Sequence, residues 1–380
     1  MFWSFIKMKK RLFPALLIYL QFFCLYSCVE TYDVTYSLGA NLLTVEGFVS
    51  GQTGTTVSIS ISRNVDRNYY SQPLKGCVAE IRSGDGSVVA LQEVSEGMYA
   101  TPTTFQGKAG QTYQLHFRTP DGKIYESSKE QLGTVPAIKN VYQKFDPQGI
   151  LDKTGKTVVS STVDVYLDFD DPKDTKNYYL WRWKRYEEQN VCITCEGGSL
   201  NFSGGTCVKI NSRNPPTYDY QCDNLCWDIF YNNDVNLLAD DFTNGKSVEG
   251  RFIAKVPFHS YKGTLLEIEQ VGLTKDAYLY YKLLRDQSQT TGTLTDTPPS
   301  PIIGNIQNIS DPNEKVIGYF GAADIRTINY WVERSNYKDP ILTPLLGRLT
   351  NFEPTTPFRP PVYPCVLSKF RTPIKPQGWQ

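Results

Sequence analysis

Histidine is almost missing from this chain: 380 residues carry two, His116 and His259. Neither sits in an H-E-x-x-H pattern, and no G-x-S-x-G elbow or P-loop occurs, which excludes the metalloprotease, serine-hydrolase and phosphate-loop signatures. His116 falls on the polar side of a strand pattern, and His259 in the loop after an apolar strand. Excess charge is missing too, with 39 Lys and Arg against 39 Asp and Glu. No basic patch of the nucleic-acid type is present, so DNA and RNA are excluded as partners. Helical periodicity is scarce. Acidic residues do crowd at Asp168, Asp170, Asp171 and Asp174, and again at Asp223, Asp228, Asn232, Asn233, Asp234, Asp240 and Asp241. These read as strand ends and polar turns; calcium binding is the alternative, although EF-hand spacing is absent. A carboxylate pair for glycoside hydrolysis is a further alternative in the first cluster. The chain is expected not to be an enzyme, with no catalytic residue, metal ligand or cofactor site to nominate.

What the chain does have begins at its N-terminus. Lys7, Lys9, Lys10 and Arg11 precede an apolar run, Leu12 to Leu25, broken by Pro14 and Gln21. The run is too short to span a bilayer comfortably and has the proportions of a secretory leader. It ends in Leu25-Tyr26-Ser27-Cys28, which resembles a bacterial lipobox. That likeness implies cleavage after Ser27 and acylation of Cys28, and several acyl chains on one residue anchor a protein stably. An ordinary signal peptide with a chance cysteine, or an uncleaved anchor, is the alternative. Losing residues 1–27 removes four basic residues and leaves a net charge of −4. Residues 28–40 read as a tether; Val29 to Ala40 spans roughly 40 Å when extended at ~3.3 Å per residue. Glu30 and Asp33 follow the lipid site as in surface-export signals. The expected address is therefore the outer membrane, on its cell-surface side.

Export changes the reading of the nine cysteines. Cys24 leaves with the leader and Cys28 carries lipid. Cys77 shares a strand face with Ala79 and Ile81, where a free thiol behaves as a small hydrophobe. The remaining six, Cys192, Cys195, Cys207, Cys222, Cys226 and Cys365, are candidates for disulfides, with 15 possible pairings. Zinc at the Cys192-x-x-Cys195 group and unpaired thiols are the alternatives; no histidine lies nearby, and export favours oxidation.

Twenty-five tyrosines, scattered glycine and proline and many short alternating runs favour a mainly β protein. Residues 41–135 carry about seven short strands with Asp-Gly turns at Asp85-Gly86 and Asp121-Gly122. This predicts an immunoglobulin- or transthyretin-like β-sandwich. Residues 136–380 predict a second β-sandwich-like domain. Within it, Val163, Val165, Leu167 and Phe169 share one face, as do Tyr179, Trp181 and Trp183, with Arg182 and Lys184 opposite. Residues 187–233 read as a disulfide-stapled polar insertion outside the sheet. Thr274 caps one helix, Lys275 to about Gln289, with Leu279, Leu283 and Leu284 on one side. The tail from 340 to 380 holds too many prolines for a regular element.

Gly304-Asn305-Ile306-Gln307-Asn308, then Pro312, Glu314 and Val316-Ile317-Gly318-Tyr319-Phe320, resembles the signature of the domain-of-unknown-function 4249 family of Bacteroidetes outer-membrane lipoproteins. Leu43 to Gly47, Gly97-Met98-Tyr99, Gly110 to Tyr113, Asp171-Pro172, Cys226-Trp227, Lys275 to Tyr278 and Lys375 to Trp379 fit the same family. The likeness covers nearly all of the mature chain. One departure is that Cys365 is followed by Val366, Leu367 and Ser368, where the family pattern has a C-x-x-C pair. The family has no established activity; the resemblance implies an accessory of a TonB-dependent outer-membrane barrel. The partners expected are the membrane, through the N-terminal lipid, such a barrel, and a glycan or peptide ligand. Tyr69, Tyr70, Tyr218 and Tyr220, read as lying in polar loops, are the candidate contacts, because tyrosine offers a flat face at little entropic cost. A free-standing adhesin or glycan-binding lipoprotein is the alternative. Asn305 is expected to bond nearby backbone and close the second domain.

Overall fold

A computed structural model describes residues 42–65, 68–151, 156–159, 161–173, 175–196, 198–201, 206–209, 218–259, 261–288, 302–337 and 367–380. Of residues 59, 61–65, 68–70, 189–196, 198–201, 206, 207, 209 and 218–225 only the backbone is described. The leader, the tether with Glu30 and Asp33, Cys28, Asp174 and Cys365 lie outside the described residues.

The chain is mainly β. Alternation of the expected kind builds the first sheet: Leu43, Val45 and Val49 of strand Leu42–Val49 are buried, as are Tyr113, Leu115 and Phe117 of strand Thr112–Arg118. Asp85-Gly86 turns strand Val78–Ser83 back into Val88–Ser95, and Asp121-Gly122 leads into Ile124–Ser127. Gly86 and Gly122 hold φ of 87° and 90°, the left-handed region that a residue without a Cβ enters freely. The sheet encloses one core that includes Val57, Ile81, Tyr99 and Phe117, with Cys77 buried at its margin. Cys77 is a free thiol, and burial raises its pKa, so it is the inert hydrophobe its face implies.

Three strands from far along the chain complete this sheet. Ile306–Asn308 pairs with Ile124–Ser127, and Val316–Ile317 and Phe320–Ala322 run parallel to Leu42–Val49. The signature block therefore belongs to the first sheet, and Asn305 closes that sheet rather than a second domain. Its side chain grips Phe320 at both backbone groups, accepting from N at 2.9 Å and donating to O at 2.7 Å. It also donates to Ser128 Oγ at 2.7 Å. Gly304 and Gly318 are packed backbone to backbone: a Cβ on Gly304 would lie 1.5 Å from Gly318 O, and one on Gly318 2.0 Å from Val45 O. Glu314 receives Tyr125 Oη and Asn308 Nδ2, while buried Glu130 receives Tyr319 Oη at 2.9 Å and Thr274 Oγ1 at 2.8 Å.

Two further sheets face each other across a second core. Strands Ile138–Asp146, Thr162–Asp170 and Ser247–Pro257 form one. Ile325–Val332, Thr264–Leu273, Tyr178–Glu196, Tyr218–Tyr231 and Arg371–Thr372 form the other, with Asn236–Ala239 beside Tyr178–Glu196. Val163, Val165, Leu167 and Phe169 meet Tyr179, Trp181, Leu266 and Ile268 between them, which places the expected aromatic face in the core.

Three expectations change. The stretch 187–233 is in large part sheet: Tyr178–Glu196 and Tyr218–Tyr231 are antiparallel partners from Lys184↔Tyr231 to Glu196↔Tyr218. Its polarity misled because a long two-stranded arm has no need of an apolar face along its whole length. Helix α1, Lys275–Ser288, is capped by Thr274 Oγ1, which accepts from Ala277 N at 3.2 Å. Yet Leu279 and Leu283 face out, at 48% and 40% exposure, and the helix packs through Ala277, Tyr278, Tyr280 and Tyr281. Large rings reach further across the interface than leucine, so the tyrosine side is the one that sits down. Finally, the tail contributes the short strand Arg371–Thr372, paired with Trp227 and Asp228.

Candidate functional site

Among the described residues, the outer face of the larger of these two sheets is covered at both ends and open in the middle. At one end helix α1 lies on Leu180, Leu237, Val271 and Leu273. At the other, Trp379 near the C-terminus packs edge-on against Trp227 and Trp331, with ring centroids 5.9 and 5.1 Å away. Between them lies a groove of about 750 Å³. Its floor comes from strand alternation, since Arg182 and Lys184 point away from the Trp181 core. Directly across on the neighbouring strand are Glu269 and Glu267. Arg182 Nη2 bonds Glu269 Oε2 at 2.7 Å, and Lys184 Nζ bonds Glu267 Oε1 at 2.8 Å. Burial pushes the Lys184 ammonium down, but its bond to Glu267 prevails and holds it above the ordinary lysine value.

Aromatic side chains form the banks. Tyr281 of helix α1 stacks on Phe48 at 6.2 Å, and the Arg182 guanidinium stands 5.7 Å from the same Phe48 ring. On the opposite bank Tyr231 and Phe370 meet edge-on at 6.3 Å, with the Lys369 ammonium 5.8 and 5.7 Å from their centroids. Tyr231 Oη donates to Lys369 O at 2.7 Å, which ties the C-terminal segment to the sheet. Asn232, Asn233 and Asp234 close one end, and Asn232 Oδ1 accepts from Trp183 N at 3.0 Å. Glu46 of the first sheet also reaches the groove.

The residues singled out in the sequence mostly lie elsewhere. Tyr69, Tyr70, Tyr218 and Tyr220 were expected in loops, but they sit on strands Asn68–Pro73 and Tyr218–Tyr231, as their high β-propensity allows; their side chains lie outside the described residues. The side chains of Cys192, Cys195, Cys207 and Cys222 lie outside them as well. Cys226 is buried, its Sγ lying 3.7 Å from Thr372 O. Among the described residues no group of His, Cys, Asp and Glu could hold a metal ion. The carboxylates of the first acidic cluster bond the protein itself. Asp168 accepts from Gly250 N at 2.8 Å, Asp170 pairs with Lys139 at 3.0 Å, and Asp171 accepts from Tyr179 Oη at 2.5 Å. In the second cluster Asp228 pairs with Arg371 at 2.7 Å, and buried Asp240 pairs with Lys176 at 3.0 Å. His116 lies between Glu80 and Glu126 on the polar side of its strand, and His259 stacks on Phe230 at 5.7 Å. Burial and then Arg82 hold His116 below the ordinary histidine value.

Sequence reading missed the groove itself. Arg182 and Lys184 were legible as the charged face of their strand; that Glu269 and Glu267 lie opposite them was not, because 80-odd residues separate the strands. Residues 29–329 match the family model described as Domain of unknown function (DUF4249). The chain belongs to this family. No curated protein matches it. The family match extends over helix α1, the charged floor and Tyr231, and stops before Lys369 and Phe370 of the opposite bank.

Proposed function

We propose that this family member is a lipid-anchored binding protein of the outer membrane, without catalytic activity, that captures nutrients as an accessory of a TonB-dependent barrel. The observation that carries the reading is the groove, an open strip of sheet with aromatic banks whose floor carboxylates, Glu267 and Glu269, are both engaged in ion pairs. A carboxylate so engaged is a poor general base or nucleophile and a good fixed hydrogen-bond acceptor. The lipobox at Leu25-Tyr26-Ser27-Cys28 supports the address, and Glu30 and Asp33 support the cell-surface side. Anchoring confines the groove near any barrel in the same membrane, so a weak contact is strengthened by high effective concentration. In this reading residues 41–135, completed by the strands of 306–322, act as one sandwich-like part and the two facing sheets as another. In the same reading the arm around residues 187–233 is disulfide-stapled, and Tyr218 and Tyr220 on it make the barrel contact together with Tyr69 and Tyr70.

The test is Cys28→Ala in the native cell. The wild type should incorporate labelled fatty acid, sediment with outer membranes and bring a β-barrel with it after mild detergent extraction, and the variant should do none of these. A variant that still labels and sediments like the wild type refutes the anchor, and a wild type that brings no barrel refutes the accessory role.

A further inference from the structure

We infer that the groove takes a neutral oligosaccharide, an inference that rests on the proposal that the groove is the capture surface. Its chemistry discriminates among ligand classes. The floor is the face of a sheet whose backbone groups are spent in the ladders joining Thr264–Leu273 to Tyr178–Glu196 and Ile325–Val332. A peptide, bringing one N–H and one C=O per residue, would find no strand edge there to pair with. An anion fares no better. Arg182 and Lys184 are already paired, Lys369 stands over two rings, and Glu46, Asp234, Glu267 and Glu269 outnumber the three cations lining the groove. An anion would have to break a floor ion pair and leave a half-buried carboxylate without its partner, at considerable cost.

A sugar hydroxyl avoids that cost because it donates and accepts at once. It can donate to Glu267 or Glu269 and accept from Lys184 or Arg182 while both ion pairs stay closed. The apolar faces of sugar rings need flat partners, and the bank supplies Phe370 and Tyr231, 52% and 37% exposed. The Tyr231 ring is held by its bond to Lys369 O, and the Phe370 main chain is fixed by its oxygen, which accepts from Ile229 N at 2.8 Å. A rigid aromatic edge beside a row of fixed, paired polar groups loses little entropy on binding an extended polyol.

The experiment uses the full-length lipidated chain in mild detergent. The probes are immobilised neutral hexasaccharides of glucose, mannose, galactose and xylose, a hexamer of galacturonic acid, and a hexapeptide library. At least one neutral hexasaccharide should be retained, and neither the anionic hexamer nor the peptides should compete with it. Phe370→Ala and Glu269→Gln should each weaken retention tenfold or more, whereas Leu279→Ala, on the outward side of helix α1, should leave it unchanged. Far-ultraviolet circular dichroism and the melting temperature should show the Phe370 variant still folded. Retention of no neutral hexasaccharide, preference for the anionic or peptide probes, or equal retention by all variants overturns the inference. Barrel co-purification is read separately. A barrel recovered without sugar retention refutes the ligand and leaves the accessory role standing, and sugar retention without a barrel does the reverse.

Discussion

Asn305 spends both ends of its amide on the backbone of Phe320, a residue with no solvent exposure. Alanine there would leave a buried N–H and C=O without partners, at ~1–3 kcal/mol for each group. Asn305→Ala is therefore expected to lower unfolding free energy by about 2–4 kcal/mol in urea denaturation, with ligand retention intact. Unchanged stability with lost binding would make the motif a contact surface instead. A second prediction concerns Glu187, buried with Arg334 and Arg185. Arg334 Nη1 and Nη2 bond its two carboxylate oxygens at 2.9 and 2.8 Å, and Arg185 adds a bond at 2.6 Å. Burial pushes this carboxyl up, but Arg334 and then Arg185 pull it further down, so it lies below the ordinary glutamate value. A folded pKa below the unfolded one gives stability that is full above the ordinary value of about 4.3 and is lost as pH falls through the depressed value. Glu187→Gln should flatten the acid limb of the stability curve, and an acid limb as steep as the wild type's would contradict the assignment. Arg334→Met, which leaves the buried carboxylate with Arg185 alone, should cost about 3–5 kcal/mol near neutral pH. Asn305's appetite for backbone was legible in the sequence. The Glu187 pair was not, because a charged residue in a polar stretch is read as solvated until its partner 147 positions away is known.

At the scale of elements, strands were legible where one face meets a core and the other meets water. The Asp-Gly turns and the run Val163 to Phe169 behave as their alternation says. Helix α1 was legible in its extent and cap but not in its facing, since leucine and tyrosine stripes compete and only the neighbours decide. The C-terminal strand was hidden by its length, two residues beside Pro373. Besides its pairing with Trp227 and Asp228, that segment is held by Trp379, wedged against Trp227 and Trp331, with Gln377 O accepting from Asn329 Nδ2 at 3.0 Å. Trp379→Ala should release the segment, removing the Phe370 O acceptor from Ile229 N. Hydrogen exchange at the Ile229 amide should accelerate at least tenfold, with amides of the first sheet unaffected. Unchanged protection there would show that the segment is held by other contacts.

Over the whole molecule, the expected break near residue 135 conceals a return. The chain leaves the first sheet, builds the two facing sheets and helix α1, and comes back at residues 306–322 to flank Leu42–Val49 and Ile124–Ser127. Such long-range parallel pairing carries no local sequence signal, which is why the signature block was legible as a motif and not as strands of the first sheet. It also gives the groove its stiffness. Glu130 of the first sheet holds Thr274 at the start of helix α1, and that helix is one bank of the groove. An anchored body built in this way is proposed to work beside a TonB-dependent barrel. Crosslinking in intact cells tests it most directly, with the partner identified by mass spectrometry from wild type and from a Tyr69, Tyr70, Tyr218 and Tyr220 alanine variant. The account predicts one barrel protein in the wild-type crosslink and a markedly lower yield in the variant. Recovery of no barrel from wild-type cells, with the protein present in the outer membrane, would contradict it.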